Sequence, residues 1–177
     1  MTPKAVLRTL LVASAAVGGL ALPAGAASPD AEGWRPFTAT WTISGSRETL
    51  PTEGDRDASI VNLSGTMTIT SGQGIGRGLL GEVIGFDDGG KLLAGRAVFT
   101  DERGDQIYCA LRGEPIGSGR LATASITGGS GRFAGIEGSF TLAWQYVVDS
   151  ESGQVSGRSV NVEGRTRIAA GQHAGGP

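Results

Sequence analysis

The chain has 177 residues, among them 31 glycines, one cysteine and one histidine, with a formal net charge of −2. That faintly acidic balance, with arginines scattered rather than clustered, excludes an electrostatic footprint for nucleic acid or for an anionic membrane surface. A lone cysteine rules out an intramolecular disulfide, and a lone histidine in a Gly-rich tail leaves cysteine–histidine and serine–histidine catalysis without a base.

The chain opens on a secretory leader. Lys4 and Arg8 form a basic start, Leu10 to Leu22 is apolar and uncharged, and Pro23 precedes the small residues Ala24-Gly25-Ala26. The apolar run falls short of the ~20 residues a membrane span needs. Cleavage after Ala26 removes two basic residues and moves the net charge from −2 to about −4. The expected product is secreted or periplasmic, carries no membrane anchor, and is long enough for one domain with one core. Residues 27–36 read as a flexible lead-in, 37–169 as the domain, and 170–177, with His173, as a disordered tail.

From residue 37 the dominant period is two. Phe37, Ala39, Trp41 and Ile43 alternate with threonines and Ser44; Val61, Leu63, Met67 and Ile69 alternate with Asn62, Ser64, Thr66 and Thr68. Both patterns predict strands with one buried face. Between them, residues 45–59 form the longest polar stretch, which reads as a solvated lid. Glu48, Glu53, Asp55 and Asp57 within it do not have the spacing of a calcium loop, so no metal is expected.

Strands follow near 78–86 and 91–100. In "GLLGEVIGF", Glu82 shares a face with Leu80, Ile84 and Phe86; were that face the interior, burial would raise the carboxyl pKa and suit it to proton transfer. A bulge at Gly81 or Gly85 sending Glu82 to solvent is the alternative. On this reading Val83 and Leu92 lie outside. Both strands are apolar on both faces, which calls for a cover on the outer one. Further strands are predicted near 106–113 and 119–127, with Cys109 buried between Ile107 and Leu111, and Tyr108 and Arg112 facing outward.

"ITGGSGRFAGIEGSF" (126–140) contains a match to the dinucleotide fingerprint from Gly129 to Ala134. That fingerprint needs a following helix to receive the pyrophosphate, but a strand follows here: Phe140, Leu142, Trp144 and Tyr146 alternate with Thr141, Ala143, Gln145 and Val147. The glycines are architectural, permitting a tight crossing that tucks Phe133 and Ile136 inward. No cofactor is expected. A last strand at 155–168 brings the count to about eight at hairpin spacing. The predicted fold is all-β, an eight-stranded antiparallel up-and-down barrel, with an open antiparallel sandwich as the alternative.

The same stretch resembles the Gly-Gly-Thr-Gly-Arg-Phe-x-x-x-x-Gly element of dirigent proteins and the allene oxide cyclase barrel superfamily, with Ser130 where threonine is usual. Gly104-Asp105-Gln106-Ile107-Tyr108 is similar to the Gly-Asp-x-x-Phe/Tyr segment of exported bacterial members. The resemblance covers roughly residues 95–145. It implies an eight-stranded barrel with a cavity for small hydrophobic molecules, and an assembly that is trimeric first and dimeric second. It transfers no catalytic residue. The leading expectation is an exported barrel that binds a small hydrophobic or aromatic molecule, with Trp41, Glu82, Phe86, Trp144 and Tyr146 as lining residues. The alternatives are a cofactor-free cyclase or isomerase in which Glu82 or Tyr146 moves a proton, and a non-catalytic structural or interaction barrel with a filled core.

Overall fold

The computed structural model describes residues 33–116 and 119–169. The expected leader, and the tail with His173, lie outside the described residues. Every segment with alternating polarity becomes a strand: β1 (Arg35–Pro51), β2 (Asp57–Gly72), β3 (Gly78–Asp88), β4 (Lys91–Thr100), β5 (Gln106–Ile116), β6 (Gly119–Gly129), β7 (Ile136–Asp149) and β8 (Gln154–Ile168). Each pairs antiparallel with the next. β1 closes on β8 from Arg35↔Thr166 to Ser46↔Gln154, so the sheet is a closed barrel in up-and-down order. Closure leaves no row of unpaired backbone groups along an edge.

Alternate side chains along each strand fill the interior, with the phase reset within β4 and β8. Large and small residues are interleaved, because eight strands enclose a space only wide enough for side chains. Trp41, Phe99, Phe140 and Phe37 form a chain of tilted and edge-on ring contacts, with centroids 5.2, 5.7 and 6.0 Å apart. Two glycines of β3, Gly81 and Gly85, face this core. A Cβ on Gly81 would come within 2.8 Å of the Phe99 ring and 2.9 Å of Trp41, and one on Gly85 within 2.8 Å of Leu92. Bulky rings on β1 and β4 thus demand empty positions on β3.

That demand corrects the expected parity of β3. Leu79, Gly81, Val83 and Gly85 face inward, while Leu80, Glu82, Ile84 and Phe86 face outward. Glu82 is exposed, and Phe86 is 42 % exposed. No register break in the β2–β3 pairing produces this. The whole face is simply the outer one, since two apolar faces leave the choice to whichever fits its neighbours. On β4 the register shifts where Phe86↔Ala94 is followed by Asp87↔Leu92, so Leu93 is the extra residue of a bulge. The bulge reverses parity within the strand and turns Leu92 against the core. Val83 and Leu92, expected outside, are therefore interior residues.

The polar stretch 45–59 is also mostly strand. β1 and β2 stay paired from Gly45↔Leu63 to Pro51↔Asp57, leaving a loop of only 52–56. Backbone pairing does not require an apolar side, so a hairpin arm with solvated side chains continues past the core. β1 also begins at Arg35, two residues before the expected domain start.

One end of the barrel is sealed by the glycine element. Gly131–Phe133 is a single 3₁₀ turn leading into β7, with Phe133 and Ile136 buried as expected. Arg132 reaches across to Asp101 in the β4–β5 loop, with Nε 2.6 Å from Oδ2, and its guanidinium lies 4.6 Å from the Phe133 ring. Asp101 Oδ1 accepts the backbone N–H groups of Arg103 (2.8 Å) and Asp105 (2.9 Å). Burial acts to raise the Asp101 pKa, but these two N–H donors and the Arg132 charge outweigh it and hold the carboxyl below its ordinary value. Cys109 is buried at mid-barrel, and burial pushes its thiol up to about 12.

Candidate functional site

The two halves of the interior differ. Toward the sealed end, Phe37, Met67, Ile75, Leu79, Phe99 and Phe140 pack around a void of only about 10 Å³. Toward the opposite end lies an apolar chamber of about 70 Å³. Its walls are Trp41 and Ile43 from β1, Val61 and Leu63 from β2, Val83 from β3, and Leu142, Trp144 and Tyr146 from β7. Leu92, Leu111 and Ala122 complete it. Ala122 brings only a methyl group to this wall. A cavity of about 150 Å³ suits a benzene-sized guest in an apolar core, so the chamber takes a slender group as it stands and a ring with modest side-chain movement.

An ion pair stands at the mouth. Asp87 continues the inward face of β3, and Arg120 continues that of β6, three strands further round the barrel. Arg120 Nε and Nη2 both lie 2.6 Å from Asp87 Oδ2, and Oδ1 accepts the Gly90 N–H at 3.1 Å. The two side chains line both the apolar chamber and a polar depression of about 340 Å³ outside it, which is bordered by Arg47, Thr49, Asp55, Arg56 and Asp57. The pair therefore separates a dry interior from a charged rim. Arg47 adds a second tie, bonding Asp149 at 2.8 Å with its guanidinium 5.7 Å from the Tyr146 ring.

Three of the five expected lining residues meet here: Trp41, Trp144 and Tyr146. Trp144 and Tyr146 touch edge to face at 5.7 Å. Glu82 and Phe86 do not take part, being on the outer face, so Glu82 has no access to a molecule held inside. Alternation of apolar residues does not single out Asp87, which lies one residue past the expected 78–86 strand, or Arg120, near the start of the expected 119–127 strand. The available signal was phase: Arg120 alternates with Ala122 and Ala124, and Asp87 with Val83 and Gly85. Among the described residues no three His, Cys, Asp or Glu side chains are grouped to hold a metal ion.

The indoles have an unusual feature. Trp41 and Trp144 are 3 % and 6 % exposed, and neither Nε1 has a hydrogen-bond partner among the described residues. An unsatisfied buried donor costs about 1–3 kcal/mol. Glycine again shapes the surroundings: a Cβ on Gly157 would lie 2.4 Å from the Trp144 ring. Comparison of the chain with family models, with curated proteins and with solved structures finds no match.

Proposed function

We propose that the protein is an exported barrel that binds a small apolar or aromatic molecule in the chamber at its open end. The observation that carries this reading is the contrast between the two halves: one is packed to a void of about 10 Å³, the other keeps about 70 Å³ behind an ion pair. Cores are normally close-packed throughout, and an apolar hollow with a polar rim is how small-molecule sites are built. The resemblance of residues 126–140 to the allene oxide cyclase and dirigent barrels supports the same reading, as does the leader for export. Mass spectrometry of protein extracted without denaturant should find a small apolar molecule, and Ala122→Phe, which fills the chamber, should lose it. Protein that carries nothing and binds no aromatic probe overturns the reading.

A cofactor-free cyclase or isomerase is the second reading. It is favoured by ionisable groups at the chamber itself, Tyr146, Asp87 and Arg120, rather than by Glu82. Chemical change in the co-purified molecule on incubation with the protein separates catalysis from storage.

A homo-oligomer, trimeric first and dimeric second, belongs to the same proposal. The outer face of β2–β3 exposes Ile60 at 55 %, Leu80 at 51 %, Ile84 at 62 % and Phe86 at 42 %. Ile60 and Phe86 are directly cross-strand, so the side chains form one patch of a kind that subunit contacts cover.

A further inference from the structure

The charges at the open end do not balance. Four cations stand there among the described residues, and each is tied to a carboxylate: Arg47 to Asp149 at 2.8 Å, Arg56 to Asp88 at 2.9 Å, Lys91 to Glu114 at 2.7 Å and Arg120 to Asp87 at 2.6 Å. Five more carboxylates lie in the same hairpin ends, those of Glu48, Glu53, Asp55, Asp57 and Glu151. None of the five has an ion pair or a side-chain hydrogen bond among the described residues. The mouth of the chamber therefore opens into a surplus of negative charge. Asp55 and Asp57 bring that surplus to the polar depression of about 340 Å³, which shares Asp87 and Arg120 with the apolar chamber. The chamber itself, at about 70 Å³, holds a slender group, and the far end of the barrel is closed over Phe133. The part of a guest that the chamber cannot hold lies in the depression.

We propose that the guest is an amphiphilic cation, an alkyl or aryl amine, whose apolar end occupies the chamber and whose ammonium group stays in the depression beside Asp55 and Asp57. This rests on the binding reading above and names the ligand class for that site. An ammonium group left at the rim keeps water and gains carboxylates, whereas the same charge among the chamber's aliphatic and aromatic walls would lose its hydration without a partner. A cleft bordered by one sign of charge also concentrates ligands of the opposite sign and speeds their encounter. A carboxylate guest meets the reverse on both counts.

Three probes with the same ring and different polar ends test this on the full protein: benzylamine, cationic at neutral pH, benzyl alcohol, which is neutral, and benzoate, an anion. At neutral pH and low salt, calorimetry should rank benzylamine above benzyl alcohol, on the order of tenfold, with benzoate weakest. Raising the salt to ~0.5 M should remove most of that preference, because exposed charges are then screened within a few ångströms. Nuclear Overhauser contacts from the ring of each bound probe to Trp144 and Leu111 should place it in the chamber. Asp55→Asn with Asp57→Asn should cut the preference several-fold while benzyl alcohol binds as before. Equal affinity for the three probes, or benzoate binding tightest, overturns the cation inference and leaves the binding reading standing. A preference unchanged in the double Asn variant overturns the placing of the ammonium group. Benzylamine that binds without contacts to the chamber walls is held at the surface alone, which also overturns the inference. Binding of none of the three at millimolar concentration sinks the binding reading and this inference with it.

Discussion

Gly131 shows how much a single position can fix. Its φ is +54°, and a Cβ there would fall on the Asp105 carboxylate. Two costs coincide, a left-handed backbone that β-branched residues resist and a clash with the carboxylate of Asp105, whose backbone N–H and C=O are both bonded to Asp101. Gly131→Val should lower stability by at least about 2 kcal/mol, read from urea denaturation; an unchanged midpoint means the crossing is not held as described. Asp101 acts at the same end through charge. Its carboxyl titrates below the ordinary 3.8, so its contribution to stability is complete above that pH and fades as pH falls through the folded-state value. The protein should lose stability on acidification below about pH 4, and Asp101→Asn, already less stable at neutral pH, should show a flatter acid limb. Equal slopes for the two proteins would remove Asp101 from the seal.

Among elements, β3 is the most informative. Its sequence supports either face inward, and its neighbours make the choice by filling the space beside Gly81 and Gly85 with Phe99, Trp41 and Leu92. Two substitutions on adjacent residues should therefore behave oppositely. Gly81→Val forces a branched side chain against two rings and should cost about 1–3 kcal/mol or more. Glu82→Ala, on the exposed face, should stay within about 0.5 kcal/mol. Thermal melts of the pair check this, and similar losses for both would place Glu82 inside after all. β4 carries the complementary lesson: one extra residue at Leu93 swaps which side chains reach the chamber.

For the whole molecule, the barrel leaves its polar rim at one end and an apolar outer face at one side. If that face is covered by another copy of the chain, Ile84→Arg with Phe86→Arg should give a folded but smaller species by light scattering. Each such side chain buried contributes roughly 1.5–3 kcal/mol before the costs of association. A native protein that is monomeric at micromolar concentration refutes the assembly.

Strand positions, their number and the all-β class were legible in the sequence because period-two alternation is a local property of the chain. The role of "GGSGRFAGIEG" was legible too, since a strand pattern after the glycines excludes a phosphate-binding helix and leaves a crossing that buries Phe133 and Ile136. Trp41, Trp144 and Tyr146 could be placed inside because each stands on the single apolar face of its strand. Only the tertiary structure decided the rest. Whether Glu82 faces in or out depends on the volume of rings on β1 and β4, and Leu92 on a bulge that no residue type announces. The pairing of Asp87 with Arg120 joins residues 33 apart in sequence, from strands three places apart around the barrel. Nothing in local alternation reports that distance, and it is this closure that leaves one half of the barrel packed and the other half hollow.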